Sequence, residues 1–340
     1  MTITKHKVAP RPAIAHQRSN SSGGHVVAVD IGGSNVRIAL ADRQGKILAR
    51  RAASTRSTSS PNMVVRQICQ GVSHLLKETG VTRSSLLAIA AGAPGVTDRD
   101  AGVVFATSYL NGWRNVPLRS LLQSALHVPA AVENDVKLAA IGEHWMGAAR
   151  GLRDFVFLAI GTGIAAGIFV NGELLHGPNW VAGEVGYLIV PGTPETPVKL
   201  GAPGSLESAI GGEGIRQNWL RSRNGHGLAD DITATEIFRR ALNADANAQV
   251  VLEKSARILA YAVYNISTVL NSSLFVLGGG VGVSEPLLKA TRRTLREYTQ
   301  PARPRLTVSE LGQDAQLVGA VRLALDQVEI PIASNKSKTL

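Results

Sequence analysis

The stretch His25-Val26-Val27-Ala28-Val29-Asp30-Ile31-Gly32-Gly33-Ser34-Asn35-Val36-Arg37-Ile38-Ala39-Leu40-Ala41 decides the fold. A valine-rich apolar run ends on a carboxylate, two glycines and two small polar residues follow, and a second apolar run begins. This pattern predicts two strands joined by a glycine turn. Asp42-Arg43-Gln44-Gly45-Lys46 reads as a further turn and Ile47 to Ala53 as a third strand, so the chain opens as a β-meander. A dinucleotide-binding Rossmann start is excluded, because there a helix follows the glycines directly.

The same theme returns in the second half. Phe155 to Ile160 reads as a strand, Gly161-Thr162-Gly163 as a turn and Ile164 to Val170 as another strand. Two copies of strand–glycine turn–strand predict a duplicated domain rather than one sheet. Between them, Ser60-Pro61 reads as an N-cap with proline at the first helical position, followed by apolar residues at helical spacing from Val64 to Leu76. Leu86 to Ala91 reads as a buried strand leading into Gly92-Ala93-Pro94-Gly95, Pro117 opens a short helix, and Ala130 to Val132 is a strand ending at Glu133-Asn134-Asp135 before another helix. Further on come a long helix from Asp245 to Leu270, a strand at Leu274 to Leu277, the run Gly278-Gly279-Gly280, a helix from Pro286 to Tyr298, and a last helix from Ala315 to Gln327.

With 340 residues and 44% hydrophobic content the chain can bury two cores or one large one. No apolar run is long enough to cross a membrane as a helix. The single cysteine, Cys69, excludes an intramolecular disulfide and a cysteine-based metal cluster. Pro10, Arg11 and Pro12 interrupt the basic N-terminus, so no secretory signal is expected and the cytoplasm is the default location. The net charge of +11 suggests a nucleic-acid partner, yet Lys5, Lys7, Arg11 and Arg18 at one end and Lys336 and Lys338 at the other carry more than half of it. The mild excess left in the body of the chain reads as solubility or an anionic ligand, with no specific nucleic-acid partner.

Asp30 with Gly32, Gly33, Ser34 and Asn35 has two readings. One is a plain hairpin turn. The other is an anion cradle, in which glycine lets successive N–H groups approach a phosphate while the carboxylate holds Mg²⁺ through water. Gly161, Thr162 and Gly163 carry the same pair of readings, and two such turns in equivalent places suggest a phosphate chain clamped between domains. Gly278, Gly279 and Gly280 could let a nucleoside lie against backbone, or serve only packing. On the residues alone, Asp135 is a helix cap or a base accepting the proton of an attacking hydroxyl.

Ordered motifs from Val26 to about Leu325 resemble the ROK family, which holds sugar kinases and transcriptional repressors. Asp30-Ile31-Gly32-Gly33 and Ile160 to Gly163 are similar to its two phosphate motifs. Gly95 and Leu110-Asn111-Gly112-Trp113 resemble its sugar-side loops, Val132 to Asp135 its catalytic Glu-Asn-Asp, Ala182 to Gly186 its sugar-binding stretch and Leu277 to Gly280 its adenosine motif.

The resemblance implies an α/β, actin-like and hexokinase-like (ribonuclease H-like, duplicated) two-domain ATPase fold with the active site in the cleft between domains. It implies a small domain from 26–133 plus 313–330 and a larger one from 134–312, with 1–24 a disordered basic tail and 331–340 a loose tail. Asp135 would be the general base toward a hexose hydroxyl, most simply the 6-hydroxyl of glucose. Gly95, Asn111, Asn134, Glu184, Tyr187 and Glu207 would bind the sugar, and ATP with Mg²⁺ would be the donor, in a homodimer. N-acetylhexosamines, mannose, fructose and a C7-cyclitol are the alternative acceptors. The other functional class is a sugar-responsive transcriptional regulator; the short, proline-interrupted segment before Val26 speaks against a helix-turn-helix there.

Two departures matter. The family's structural zinc is held by one His and three Cys, whereas the corresponding positions here are Tyr187, Val198, Leu200 and Ser205. No tetrahedral ligand set remains, so a zinc-free site is expected, with apolar packing as the loop's anchor. Ala165-Ala166 stands where the family often has glycines, on the nucleotide side.

Overall fold

The computed structural model describes residues 23–55, 60–106, 110, 112–195, 202–222, 232–298 and 304–329. Asn111, Val198, Leu200 and nearly all of both expected tails therefore lie outside the described residues.

The opening meander forms as its pattern requires. Strands β1 (His25–Ile31) and β2 (Asn35–Asp42) are antiparallel, in a register that sets Asp30 opposite Arg37, and β3 (Ile47–Ser54) pairs with β2. Helix α1 (Pro61–Thr79) starts at Ser60, whose side chain accepts from the Met63 N–H. Strand β4 (Leu86–Ala93) returns parallel to β1. A small antiparallel sheet follows, made of β5 (Val96–Asp98), β6 (Val103–Ala106) and β7 (Arg114–Val116). Its strands are too short to show periodicity, and the sequence pattern does not predict them. Helix α2 (Leu118–Leu126) and strand β8 (Ala130–Asn134) complete a five-stranded sheet of order β3-β2-β1-β4-β8, and α3 (Asp135–Met146) leaves its edge.

The second half repeats this plan. Strands β9 (Phe155–Ile160), β10 (Ile164–Val170) and β11 (Glu173–Leu174) form a meander. Helices α4 (Ser205–Ile210), α5 (Gly212–Ser222), α6 (Ala234–Leu242) and α7 (Ala246–Leu270) follow. Then come β12 (Leu274–Gly278), the single turn α8 (Gly279–Gly282), α9 (Glu285–Leu295), β13 (Arg305–Val308) and α10 (Ala315–Glu329). The second sheet has the order β11-β10-β9-β12-β13, so its strands occupy the same places as their counterparts in the first. In both sheets the fourth and fifth strands run parallel to the first. The inner parallel strands are mostly apolar and buried, as helix-covered parallel strands are, with their few polar residues at the ends.

Helices α3 and α10 join the halves. α10 packs Leu317, Ala320, Val321 and Ala324 against the first sheet, where they meet Val26, Ala28, Ala88 and Ala90. α3 packs Ala139 and Ala140 against Phe155, Phe157 and Phe169 of the second. Where the two helices cross, Gly142 and Gly319 let their backbones touch. A Cβ on Gly319 would lie 1.8 Å from the Leu138 carbonyl oxygen, and one on Gly142 2.3 Å from that of Ala315. Buried Glu143 adds a polar lock, accepting from the N–H of Ala148 (2.7 Å) and of Leu311 (3.1 Å) and from the Ser309 hydroxyl.

Backbone blocks the added side chain, so Gly319→Val is expected to destabilise the fold by about 2–3 kcal/mol. Thermal unfolding checks this; an unchanged midpoint would mean that the helices can separate freely.

Candidate active site

Strand ends, glycine turns and the start of α3 converge between the two sheets, at the carboxyl ends of the parallel strands, where open α/β sheets bind ligands. Asp30 ends β1 and is buried. Arg37, opposite it on β2, donates from Nε (2.8 Å) and Nη2 (2.6 Å) to Asp30 Oδ2. Arg37 Nη2 also donates to Gln316 Oε1 at 3.2 Å, tying the β1–β2 hairpin to the start of α10. Burial raises the Asp30 pKa and Arg37 opposes that rise.

The Gly32–Asn35 turn closes with the Gly32 N–H on the Asn35 carbonyl (2.8 Å). Buried Thr55, at the end of β3, holds the turn from behind: its N–H donates to the Ser34 carbonyl (2.9 Å) and its hydroxyl to the Gly32 carbonyl (3.1 Å). The carbonyls are thereby turned inward, and among the described residues the Gly33 and Ser34 N–H groups have no acceptor. In the second turn the Gly161 N–H meets the Gly163 carbonyl (2.9 Å), and Thr162 is exposed. Gly161 faces open space.

The glycine run at 278–280 divides between the two sequence readings. A Cβ on Gly278 would lie 2.3 Å from the Phe157 ring and one on Gly279 2.4 Å from the Ile160 carbonyl oxygen, so both serve packing. Only Gly280 of the three looks onto open space, and the run forms a strand end and one helical turn rather than a loop.

The start of α3 resolves the cap question. Asn134, not Asp135, is the N-cap: its Oδ1 accepts from the Val136 and Lys137 N–H groups, both at 3.0 Å, while its Nδ2 donates to the Gly95 carbonyl at 3.1 Å. Capping and the Gly95 bond leave the Asn134 amide one unused donor for a ligand. Asp135, in the first turn, keeps part of its surface accessible. Burial pushes its pKa up to about 7, helped by the negative charges of Asp30 and Glu184 and opposed by the Val136 N–H.

Across the cleft, burial raises the pKa of Glu184, with Glu207 adding to the rise and Lys137 opposing it. Glu207 is also raised by burial and accepts the Ile164 N–H at 2.8 Å. Tyr187 is 48% exposed, and burial of its phenol and the charges of Glu184 and Glu207 raise its pKa. The structure thus brings Asp30, Asp135, Glu184, Glu207 and Tyr187 close enough together to act on one another's charge.

In the 187–207 region Val190 and Leu206 are buried in the core of the second half, with Leu188 packed against it, while Val198 and Leu200 lie outside the described residues. Gly204 and Gly186 meet backbone to backbone: a Cβ on Gly204 would lie 2.2 Å from the Gly186 carbonyl oxygen. Glu207 adds the polar bond to Ile164. Tyr187 and Ser205 do not fit a zinc ion, and no group of three metal-ligating side chains occurs among the described residues.

Arg37, Thr55, Lys137 and His176 were missed by sequence reasoning. Lys137 is 4% exposed and its Nζ donates to the Trp180 carbonyl at 3.0 Å. Glu133 is 1% exposed; its Oε1 accepts the Asn134 N–H (2.9 Å), and its Oε2 lies 2.8 Å from His176 Nε2. Only the Arg37 pairing had a readable signal, the hairpin register across a four-residue turn.

The family model for ROK proteins matches residues 26–327. The chain is similar to a glucokinase from Halalkalibacterium halodurans, 31% identical over 314 residues that cover 88% of this chain and 95% of that one. It is 28% identical to an N-acetylmannosamine kinase from Escherichia fergusonii over 300 residues, covering 88% and 97%. Among solved structures it resembles a ROK family glucokinase from Streptomyces griseus in complex with glucose and AMPPNP, at 27% identity and a TM-score of 0.74, covering 89% of this chain and all of that one. The fold is the actin-like one that the ROK resemblance implied, built on the duplicated meander.

Asp135 gives a stability signature. Its folded pKa lies above the unfolded value, so ionising it costs stability, and the cost grows from about pH 4 to pH 7 and is constant above. Asp135→Asn is expected to stabilise the fold at pH 8 by about 1–3 kcal/mol and by much less at pH 4.5. Thermal midpoints at the two pH values check this; equal shifts at both would refute the raised pKa.

Proposed function

This chain belongs to the ROK family and is a carbohydrate kinase, and from that premise we propose that it transfers the γ-phosphate of ATP to the 6-hydroxyl of glucose with Asp135 as general base. One observation carries the reading: although Asp135 Oδ1 shares the Val136 N–H with the Asn134 cap (2.8 Å), burial beside Asp30 and Glu184 brings the Asp135 carboxylate to a pKa of about 7. A base of that strength is ionised in much of the population at neutral pH and still accepts a proton well.

The surroundings suit a neutral polyol. Asp135, Glu184 and Glu207 are acceptors when ionised, and their mutual repulsion is relieved by hydroxyl donors. An acceptor sugar lacking one of those hydroxyls strands a buried carboxylate, which is how such a site selects among hexoses. The unused Asn134 donor and the Tyr187 hydroxyl supply the opposite polarity at the rim.

On the donor side, the Gly33 and Ser34 N–H groups and the exposed 161–163 turn offer cradles for phosphate oxygens, a use of backbone that needs no charged side chain. Mg²⁺ binds through few carboxylates and keeps several waters. Asp30 fits that role: Arg37 occupies Oδ2 and leaves Oδ1 without a protein donor among the described residues. Bound ATP with Mg²⁺ supplies the phosphoryl group and the neutralising charge. Asp135 takes the hydroxyl proton as the oxygen attacks. Arg37 keeps Asp30 oriented. Because Tyr187 and Ser205 do not suit zinc, the reaction is read as zinc-free.

A coupled ADP-release screen over hexoses, N-acetylhexosamines and cyclitols is the test. Turnover is expected to be highest on glucose and to fall about 10²–10⁴-fold in Asp135→Asn, in a preparation without stoichiometric zinc. Equal turnover by the variant, or none on any acceptor, would overturn the mechanism; preference for N-acetylmannosamine would overturn the choice of sugar.

A further inference from the structure

Lys137 is a buried ammonium beside the catalytic segment that phosphoryl transfer does not itself call on. A charge removed from water is retained only where partners compensate it, and an apolar side chain of similar length would be cheaper in most interiors. Its hydrogen-bond partner is the Trp180 carbonyl, while the carboxylates of Glu133 and Glu184 favour its charged form against desolvation.

Trp180 itself is held in an unusual state. Its φ is +63°, in the left-handed region that a bulky aromatic residue enters at a cost of about 1–2 kcal/mol. Such a conformation persists only where the surroundings over-determine it. Lys137 holds the carbonyl. The Trp180 ring packs edge-on against His176, centroids 5.7 Å apart. His176 in turn is tethered to Glu133 Oε2, and the other Glu133 oxygen accepts the Asn134 N–H.

Both tethers therefore run between the same two segments. One is 133–137, which carries Asp135; the other is 176–180. Glu184 follows at once: its N–H donates to the Val181 carbonyl (3.2 Å), and Gly183, at φ +94°, packs so closely on β10 that a Cβ would lie 2.0 Å from the Ala166 carbonyl oxygen. The turn bearing Glu184 is thus pinned at one end by the tethers and at the other by β10.

We propose that Lys137 and His176 are positioning residues of the phosphoryl transfer, which lock segment 176–184 onto the catalytic end of α3 and so fix the Glu184 carboxylate at the sugar. The proposal rests on the reading of Glu184 as a sugar-binding residue. The clamp ties the group that holds the acceptor to the element that holds the base, and it uses side chains rather than a metal to do so.

The test pairs two measurements on Lys137→Met and on His176→Phe, which keeps a ring while removing the bond to Glu133. Hydrogen–deuterium exchange on the free enzyme is expected to quicken in peptides spanning 176–187 and to stay unchanged in β4 and α10. Steady-state kinetics are expected to show the sugar KM rising about 10-fold or more, with the ATP KM unchanged and kcat falling less than about 3-fold. Glu184→Gln, run alongside, separates the two layers. Should Glu184→Gln leave the sugar KM unchanged, the sugar-site reading fails, and the proposal with it. If Glu184→Gln raises the sugar KM but the clamp variants leave both exchange and KM at the wild-type level, the clamp alone is overturned. Faster exchange throughout the fold, with kcat and both KM values changed together, would also overturn it by reducing Lys137 and His176 to general stability.

Discussion

The contact between α3 and α10 at Gly142 and Gly319 governs the rest of the structure. Each helix belongs by its apolar face to a different sheet, α10 to the first and α3 to the second. With no side chain between them at the crossing, the backbones fix one separation. The first turn of α3 is thereby held at the edge of the first sheet while its body lies on the second. Asp135 sits on that turn, so the carboxylate proposed as base is positioned by helix packing and not by a loop. Glu143, with two bonds to the segment that enters α10 and one to Ala148 just past α3, keeps the far end of α3 in place.

From that placement the chemistry follows as a consequence of crowded negative charge. Asp30 and Glu184 raise the pKa of Asp135, and Glu207 raises that of Glu184. In the folded chain without ligand this costs stability; with a polyhydroxylated acceptor and a compensating cation it becomes recognition. Among the described residues Arg37 compensates Asp30 through a direct ion pair and Lys137 compensates Glu184 through its charge, and neither offsets the charge of Asp135. On the proposed function, this raised pKa suits a base at the expense of the fold, a trade common at catalytic centres.

Much of this was legible in the sequence because its signals are local. The two strand–glycine–strand stretches, the Ser60 cap and the long helix from Asp245 are short-range patterns, and they form as read. The carboxylates Asp30, Asp135, Glu184 and Glu207 were legible as motif positions. What was not legible depends on pairs distant in sequence. Lys137 and His176 carry no local mark, since each meets its partner 43 residues away. The capping role of Asn134 and the packing role of Gly278 and Gly279 were ambiguous until neighbours from other strands were in view. The contact of Gly186 with Gly204 was not legible either, because glycine-to-glycine backbone packing leaves no hydrophobic signature.

The pH dependence of kcat/KM for the best sugar measures the central claim, since it reports the ionisation of the free enzyme's essential groups. Wild type is expected to show a single-proton acidic limb centred near the Asp135 pKa of about 7, and the residual activity of Asp135→Asn is expected to show none. A wild-type profile flat through that range, or the same limb persisting in Asp135→Asn, would contradict the assignment of the base.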